Sequence, residues 1–313
     1  MTATSDTTAP TAAKTAGAAS PPKTPGASRQ LRSDARRRAG RMWGQVALYA
    51  LLIAIALFYI YPFLVQIATS FKTDSEASTN PIALIPQTWT TAAYERLFLR
   101  SDFPRWFLNS AIVTVLVTLG RVFLVSLAGY ALARLQFRGR GVVYAAVIAV
   151  MAVPSVVLLI PRFLVINQIG IYDTYAGMIL PLLVDAAGVF IMKNFFESIP
   201  ASVEEQARID GAGVFRTFWS VVLPMARPAV ITIIILSFQG SWNELSHFIV
   251  STQSPELTTL TKGVASLASG QLSQGTQYPL KLAAALIMTI PVAVMFFIFQ
   301  RRIMNASEGA VKE

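Results

Sequence analysis

The sequence predicts an all-α, polytopic membrane protein with six transmembrane helices. Of its 313 residues, 54% are hydrophobic and only 13% are charged, which is too apolar for an ordinary soluble domain. The hydrophobic residues fall into six stretches. Each stretch is near the ~20 residues that a helix needs to cross ~30 Å of hydrocarbon. One charged and amphipathic segment, residues 200–224, interrupts this pattern between the fourth and fifth stretches.

Composition also limits the chemistry of the chain. There is no cysteine, so disulfides and thiolate metal sites are excluded. The single histidine, His247, excludes a multi-histidine metal centre, and we expect no metal site. The net charge is +10, but the basic residues lie beside hydrophobic stretches, where they set membrane topology. We therefore do not expect nucleic-acid binding.

Residues 1–41 differ from the rest of the chain. They are rich in Ala, Thr, Pro and Ser and end in a run of arginines. Such a segment cannot bury enough apolar surface to fold alone, so we expect a disordered basic cytoplasmic tail that can contact anionic membrane lipid. A cleaved signal peptide is not expected, because the first hydrophobic stretch starts late and is long enough to span a bilayer.

The membrane domain follows in order. The predicted spans cover residues 43–69, 106–133, 142–164, 175–196, 229–250 and 280–299. Pro154 and Pro161 lie inside the third stretch and predict a kinked helix, because each proline frees backbone groups that neighbours must satisfy. We expect a cytoplasmic amino terminus, because Lys and Arg are then concentrated on the cytoplasmic side, as the positive-inside rule requires. Residues 200–224 are cytoplasmic in this topology.

The interrupting segment predicts two short helices. Ser202 and Glu205 have the spacing of a capping box, which indicates a helix that begins at Ser202. Glu204 and Arg208 are four residues apart, which favours a salt bridge on the exposed surface of that helix. Gly211 supplies the backbone freedom of a helix exit. The second helix is indicated by apolar residues at helical spacing, namely Phe215, Phe218, Trp219 and Val222.

This arrangement resembles the EAA loop of the membrane subunits of ABC importers. The residues that carry the resemblance are Glu205, Ala207, Gly211, Val221, Leu223 and Pro224, with Gln206 in place of the usual alanine. The wider chain resembles the second permease of the carbohydrate-uptake, maltose-transporter-type branch. Its supporting stretches include AGYALARLQFRG at 128–139, GVFIMKNFFESIP at 188–200, IDGAG at 209–213 and WNE at 242–244.

The resemblance implies a fold, a function and an assembly. The fold is the type I transmembrane fold of ABC importers, with residues 42–313 as the permease domain and 200–224 as the coupling loop. The function is ATP-driven import of a sugar, expected to be a di- or oligosaccharide, at the cell (plasma or inner) membrane. The expected partners are a second permease, a pair of ATPase subunits and an extracellular solute-binding protein.

The expected division of chemistry places catalysis on another chain. No G-x-x-x-x-G-K-[ST] phosphate cradle occurs, so we expect no catalytic residue and no bound cofactor here, with ATP and Mg on the partner ATPase. The resemblance assigns ATPase coupling to Glu204, Glu205, Ala207, Arg208, Asp210 and Gly211. Among these, Glu205 and Asp210 are expected to make charge-assisted contacts to basic groups of the ATPase.

Polar residues within the spans are candidates for the solute pathway. Ionisable groups in lipid are costly, so Arg121, Asp185 and Glu244 should face an interior or a wet cavity. Trp242 and Asn243 suit a sugar, because an indole face covers a pyranose ring and an amide pairs with hydroxyls. The alternative is structural, with each ionisable group satisfied by a neighbour, Trp242 packed and Asn243 bonded across helices.

Other functions remain open at this stage. An ABC permease for a glycerol phosphate ester, an amino acid or a peptide would share most of these features. An ion-coupled secondary transporter would need an internal repeat, and none is evident. An intramembrane protease would use Ser241 and His247, but their closeness on one span is weak evidence.

Overall fold

The computed structural model describes residues 27–268 and 277–309, and every regular element in these two ranges is helical. The α-helices are α1 Ala27–Ser70, α2 Asp74–Thr79, α3 Ala92–Leu99, α4 Phe103–Arg134, α5 Arg140–Met151, α6 Leu159–Gln168, α7 Tyr175–Ile179, α8 Ala186–Ser198, α9 Ala201–Ile209, α10 Val214–Thr217, α11 Leu223–Met225, α12 Arg227–Trp242, α13 Ser246–Ser251, α14 Leu260–Ala268 and α15 Tyr278–Gly309. Short 3₁₀ turns cover Ser155–Leu158, Leu180–Leu182 and Pro255–Leu257, and a π-helical turn covers Phe218–Val222.

The chain divides into two compact units between Tyr61 and Pro62. In its described part, the first unit is the amino-terminal portion of α1. This helix begins at Ala27, so the prediction that disorder extends to residue 41 is wrong for residues 27–41. Arg, Ala, Leu and Gln favour helix, and a segment joined to an existing helix extends it without a new nucleus. The rest of the predicted tail, residues 1–26, lies outside the described residues.

The six predicted spans all have helical counterparts. Three helical stretches are long and apolar enough to cross a membrane on their own, namely Gly44–Ser70, α4 and Tyr278–Gln300. Three further candidates are bent pairs, with bends of 102° between Arg140–Met151 and Ser155–Gln168, 43° between Tyr175–Leu182 and Ala186–Ser198, and 80° between Val214–Met225 and Arg227–Trp242. Counting each pair as one span gives up to six by length and composition, although the first half of the third pair, Val214–Met225, falls in the predicted loop 200–224 and not in the predicted fifth span. The break after Met151 confirms the kink predicted from Pro154.

The fifth predicted span is too long. Helix α12 ends at Trp242 rather than at residue 250, and α13 begins separately at Ser246. The cause is Glu244, whose carboxylate accepts the backbone N–H of His247 at 2.8 Å and so supports a new helix start.

Within the second unit, α4 is the central helix, because it packs against both α8 and α12. A buried cluster of apolar side chains joins the three helices and includes Val125, Tyr130, Met192, Phe196 and Ile233. Gly129 permits the close approach of α4 to α8. A Cβ atom at residue 129 would lie 2.7 Å from Met192 Cβ and 3.0 Å from the backbone nitrogen of Lys193.

We expect Gly129→Ala to destabilise the protein. The added methyl would meet atoms that cannot move without shifting α8, an overpacking cost of about 1–3 kcal/mol that outweighs the helix-propensity gain of about 1 kcal/mol. The matched control is Gly141→Ala in α5, where no atom lies within 4 Å of the place that the methyl would occupy. Thermal unfolding in detergent should show a lower midpoint for Gly129→Ala alone. Equal midpoints for the two variants would contradict the close α4–α8 contact.

Candidate coupling site and solute pathway

The first helix of the charged loop, α9, begins at Ala201 after Pro200. Pro200 has extended backbone angles, φ −57° and ψ 134°, and occupies the cap position. Ser202 therefore lies inside the helix, and the prediction of a capping box from Ser202 to Glu205 is wrong. The proline determines the start instead, because its fixed φ suits the residue that precedes a first helical turn.

The exit of α9 is the one predicted. Gly211 has φ +79°, in the left-handed region that favours glycine. The N–H of Ala212 donates to the carbonyl of Ala207 at 2.9 Å, and the N–H of Gly211 donates to that of Arg208 at 3.0 Å. The first of these bonds is typical of a glycine-terminated helix, and it satisfies a carbonyl that the helix end would leave free.

The two faces of α9 differ sharply. Glu204 and Ala207 are buried, whereas Glu205, Arg208 and Asp210 are exposed. The prediction of an exposed Glu204–Arg208 pair is wrong, because Glu204 Oε1 lies 2.8 Å from Arg134 Nε in a close ion pair without hydrogen-bond geometry. Helix α9 is oriented so that Glu204 faces the end of α4, where Arg134 is the basic partner.

A buried polar cluster thus forms around Glu204. The hydroxyl of Tyr130 donates to Glu204 Oε2 at 3.2 Å. The guanidinium of Arg134 also donates to the carbonyl of Phe196 at 2.7 Å and to that of Ile199. The cluster of Tyr130, Arg134 and Glu204 therefore connects the end of α4, the end of α8 and the first turn of α9.

The second half of the loop departs from a regular helix. Helix α10 passes into the π-helical turn Phe218–Val222 and then into α11. Phe218 and Val222 are buried as expected, but Phe215 is 75% exposed and Trp219 is 49% exposed. The four apolar residues therefore divide into a buried pair and an exposed pair, and the predicted contact of this face with a membrane or with neighbouring helices stays a prediction.

Trp242 belongs to the core rather than to a pathway surface. It is 2% exposed, and its indole N–H donates to the carbonyl of Met288 at 3.0 Å. Its ring stacks on Phe238 and meets the edge of Phe107. These contacts and the burial of the ring favour the structural alternative for Trp242 over the prediction that it covers a sugar.

The neighbouring candidates are more accessible. Asn243 is exposed, and its amide donates to the carbonyl of Gln239 in its own helix at 3.0 Å, not across helices. Glu244 is half-buried and is engaged at the start of α13.

Arg121 and Asp185 meet at the break in the fourth span. Arg121 Nε donates to the carbonyl of Leu182 at 2.9 Å, and its Nη1 lies 3.8 Å from Asp185 Oδ2. Leu182 ends the 3₁₀ turn before the break, so its carbonyl needs a donor from outside that helix. The hydrogen bond from Arg121 therefore satisfies the carbonyl that the broken helix leaves free. Asp185 keeps 23% of its side chain exposed.

Sequence reasoning did not assign Tyr130 or Arg134 to the site. Both lie in the stretch AGYALARLQFRG, which carries part of the family resemblance. Their four-residue spacing places them on one face of α4, where they contact the same carboxylate. That spacing was the available signal, but the partner lies 70 or more residues away and nothing local identifies it.

A family model described as "Binding-protein-dependent transport system inner membrane component" matches residues 125–306, which include the buried cluster and the whole of residues 200–224. The chain belongs to this family. It is a multi-pass permease subunit.

Individual relatives agree with this assignment. The diacetylchitobiose uptake system permease protein NgcG of Streptomyces coelicolor is 33% identical over 267 residues, which is 84% of this chain and 88% of the relative. The trehalose transport system permease protein SugB of Mycobacterium tuberculosis is 34% identical over 233 residues, which is 73% of this chain and 84% of the relative. A solved bacterial ABC transporter involved in the import of alginate matches with a TM-score of 0.76, 25% identity and coverage of 84% of this chain and 97% of that chain.

A carboxylate clamp holds two loops of the permease together. Asp173, between α6 and α7, has φ +56° and donates its N–H to the carbonyl of Ser251 at 3.0 Å. Its Oδ1 accepts the N–H groups of Gln253 at 2.9 Å and Ser254 at 3.0 Å, and the Ser254 hydroxyl donates to Oδ2. The hydrogen bonds from Ser254 and then Gln253 hold the pKa of Asp173 below its usual value.

We expect Asp173→Asn to loosen this clamp at neutral pH. The amide is a weaker acceptor than the carboxylate, so hydrogen exchange at the amides of Gln253 and Ser254 should speed up. Because the folded pKa is depressed, the difference from the parent protein is fully present above the usual pKa and is lost as pH falls through the folded pKa. Asp102→Asn is the control, because Asp102 is exposed and makes no side-chain cap bond. Unchanged exchange in Asp173→Asn would contradict the clamp.

Proposed function

We propose that this permease is the second membrane subunit of an ATP-driven importer of a di- or oligosaccharide, and that its loop 200–224 docks on an ATPase in the cytoplasm. The single observation that carries the proposal is the division of α9 into two faces. One face is held inside by Glu204 and Ala207. The other presents Glu205, Arg208 and Asp210 to the exterior of the chain.

The loop also exposes apolar side chains, one on α9 and one on α10. Ile209 is 84% exposed and Phe215 is 75% exposed, although both lie in a charged loop. Apolar and aromatic groups surrounded by charges are typical of the centre of a protein interface. In the proposed complex these two side chains enter the ATPase surface, while Glu205 and Asp210 pair with its basic groups. Ala207 is buried on the opposite face of α9, so in the proposed complex it packs against the permease and does not contact the ATPase directly.

The remaining parts of the assembly follow from this docking. ATP and Mg bind to the paired ATPase subunits, because this chain lacks a phosphate cradle. The amino terminus is cytoplasmic, a second permease completes the pathway, and an extracellular binding protein delivers the solute. Relatives named for diacetylchitobiose, trehalose and arabinooligosaccharides support a sugar as that solute. None of these relatives is named for an amino acid or a peptide.

Photocrosslinking tests the docking. The chain has no cysteine, so a single Cys can carry a benzophenone probe. We expect Gln206→Cys, on the exposed face of α9, to capture the ATPase in intact membranes. Gln168→Cys, exposed at the end of α6 and extracellular in the proposed topology, is the matched control and should not capture it. Capture of the ATPase by neither probe, or by both probes equally, would contradict the proposed docking.

The solute pathway is tested by two neighbouring residues. We propose that Asn243, with Glu244 and Asp185, lines the pathway, so Asn243→Ala should remove a hydrogen bond to the passing sugar. A loss of about 1 kcal/mol would lower uptake roughly five-fold in proteoliposomes supplied with loaded binding protein. Trp242→Phe should instead lower thermal stability through the lost bond to Met288, with uptake per folded permease unchanged. The opposite pattern would move the pathway away from Asn243.

A further inference from the structure

The cytoplasmic end of α4 carries a buried ion pair that the proposed docking surface does not use. Arg134 and Glu204 approach to 2.8 Å, and their side chains are only 15% and 5% exposed. Tyr130 donates to the second oxygen of Glu204, so both carboxylate oxygens are engaged. This cluster lies on the face of α9 opposite to the exposed residues.

Arg134 joins more than two segments. Its guanidinium donates to the carbonyls of Phe196 and Ile199, at the end of α8. The carbonyl of Phe196 already accepts the N–H of Ile199 at 3.2 Å, so Arg134 gives it a second donor, whereas Ile199 itself caps the end of α8. Pro200 follows immediately and has no N–H to offer. One side chain therefore connects the ends of two helices to the first turn of α9.

A nearby ion pair provides the contrast. Arg140 and Glu197 approach only to 3.4 Å, and their side chains are 34% and 39% exposed. Glu197 also lies 2.8 Å from Lys193. Exposed pairs of this kind contribute little, because water and salt screen them. A buried pair is different, since removal of one partner leaves the other charged and without compensation.

We propose that Arg134 is a positioning residue for transport. Through Glu204 it makes α9 move as one body with the ends of α4 and α8, so that motion of a docked ATPase reaches the membrane helices. This inference rests on the proposed function, because it requires α9 to be the docking helix. Coupling between distant sites needs elements with a stiff, defined contact. Without the ion pair, α9 is free to pivot at Pro200.

The test uses the complete transporter in proteoliposomes with loaded binding protein. Glu204→Gln keeps the size of the side chain but removes its charge, and Glu197→Gln is the matched control at the exposed pair. We expect Glu204→Gln to retain crosslinking at Gln206→Cys and to retain ATP hydrolysis. Sugar imported per ATP should fall about ten-fold, within the ~5–150-fold range of coupling between sites. Glu197→Gln should match the parent ratio.

Two milder variants apply if Glu204→Gln does not fold. Tyr130→Phe removes a single hydroxyl, and Arg134→Lys keeps the positive charge but not the planar fork that reaches several acceptors. Both should lower the ratio of sugar to ATP in the same direction. Spin labels at Arg208→Cys and Arg138→Cys, both exposed, should show a broader distance distribution in these variants.

The outcomes separate the two proposals. A role limited to stability would lower the unfolding midpoint but leave the ratio of sugar to ATP unchanged in folded, docked complexes, and this result would overturn the inference. Absence of crosslinking in Gln206→Cys without a second substitution would instead overturn the docking itself. A lowered ratio with parent-level crosslinking supports both.

Discussion

A largely buried guanidinium at the end of α4 is the constraint on which the position of α9 depends. Only 15% of the Arg134 side chain is exposed, and an unpaired charge there would be costly, so it must find acceptors. It finds them in Glu204 and in the carbonyls at the end of α8. Because these acceptors belong to different segments, satisfying one charge fixes the position of α9. The exposed face of that helix is then a consequence of what the opposite face binds.

The same rule operates within the membrane domain. Broken helices leave backbone carbonyls that lipid cannot satisfy, and side chains from other elements supply the donors. Arg121 donates to the carbonyl of Leu182 at the break in the fourth span. His247 Nε2 lies 3.2 Å from the carbonyls of both Gly177 and Met178. The amide of Asn109 donates to the carbonyls of Glu256 and Thr258. These polar side chains therefore stabilise the fold. A role in the solute pathway requires, in addition, that the side chain be exposed.

The sequence predicted the architecture well and the side-chain partners poorly. Hydrophobic length and proline positions located a helix in each of the six predicted spans and the break in the third, because these features depend on local composition. The glycine exit of α9 was predicted for the same reason. The partners of Glu204 and Trp242 were not, because they come from residues distant in the chain. Local spacing suggested Arg208 for Glu204 and an open ring face for Trp242, and tertiary packing overrode both.

Glu204 and Glu205 are adjacent in the chain, yet Glu204 is buried and Glu205 is exposed. Successive residues on an α-helix point about 100° apart, so adjacent carboxylates cannot share an environment on a half-buried helix. Arg134 and Tyr130 select Glu204 for the interior, and Glu205 must then face outward. Two chemically identical side chains thereby acquire different roles, one that anchors the helix to the membrane domain and one that is available to a partner. A turn of α9 by one residue would move Glu204 away from Arg134 and Tyr130 and so remove the anchor.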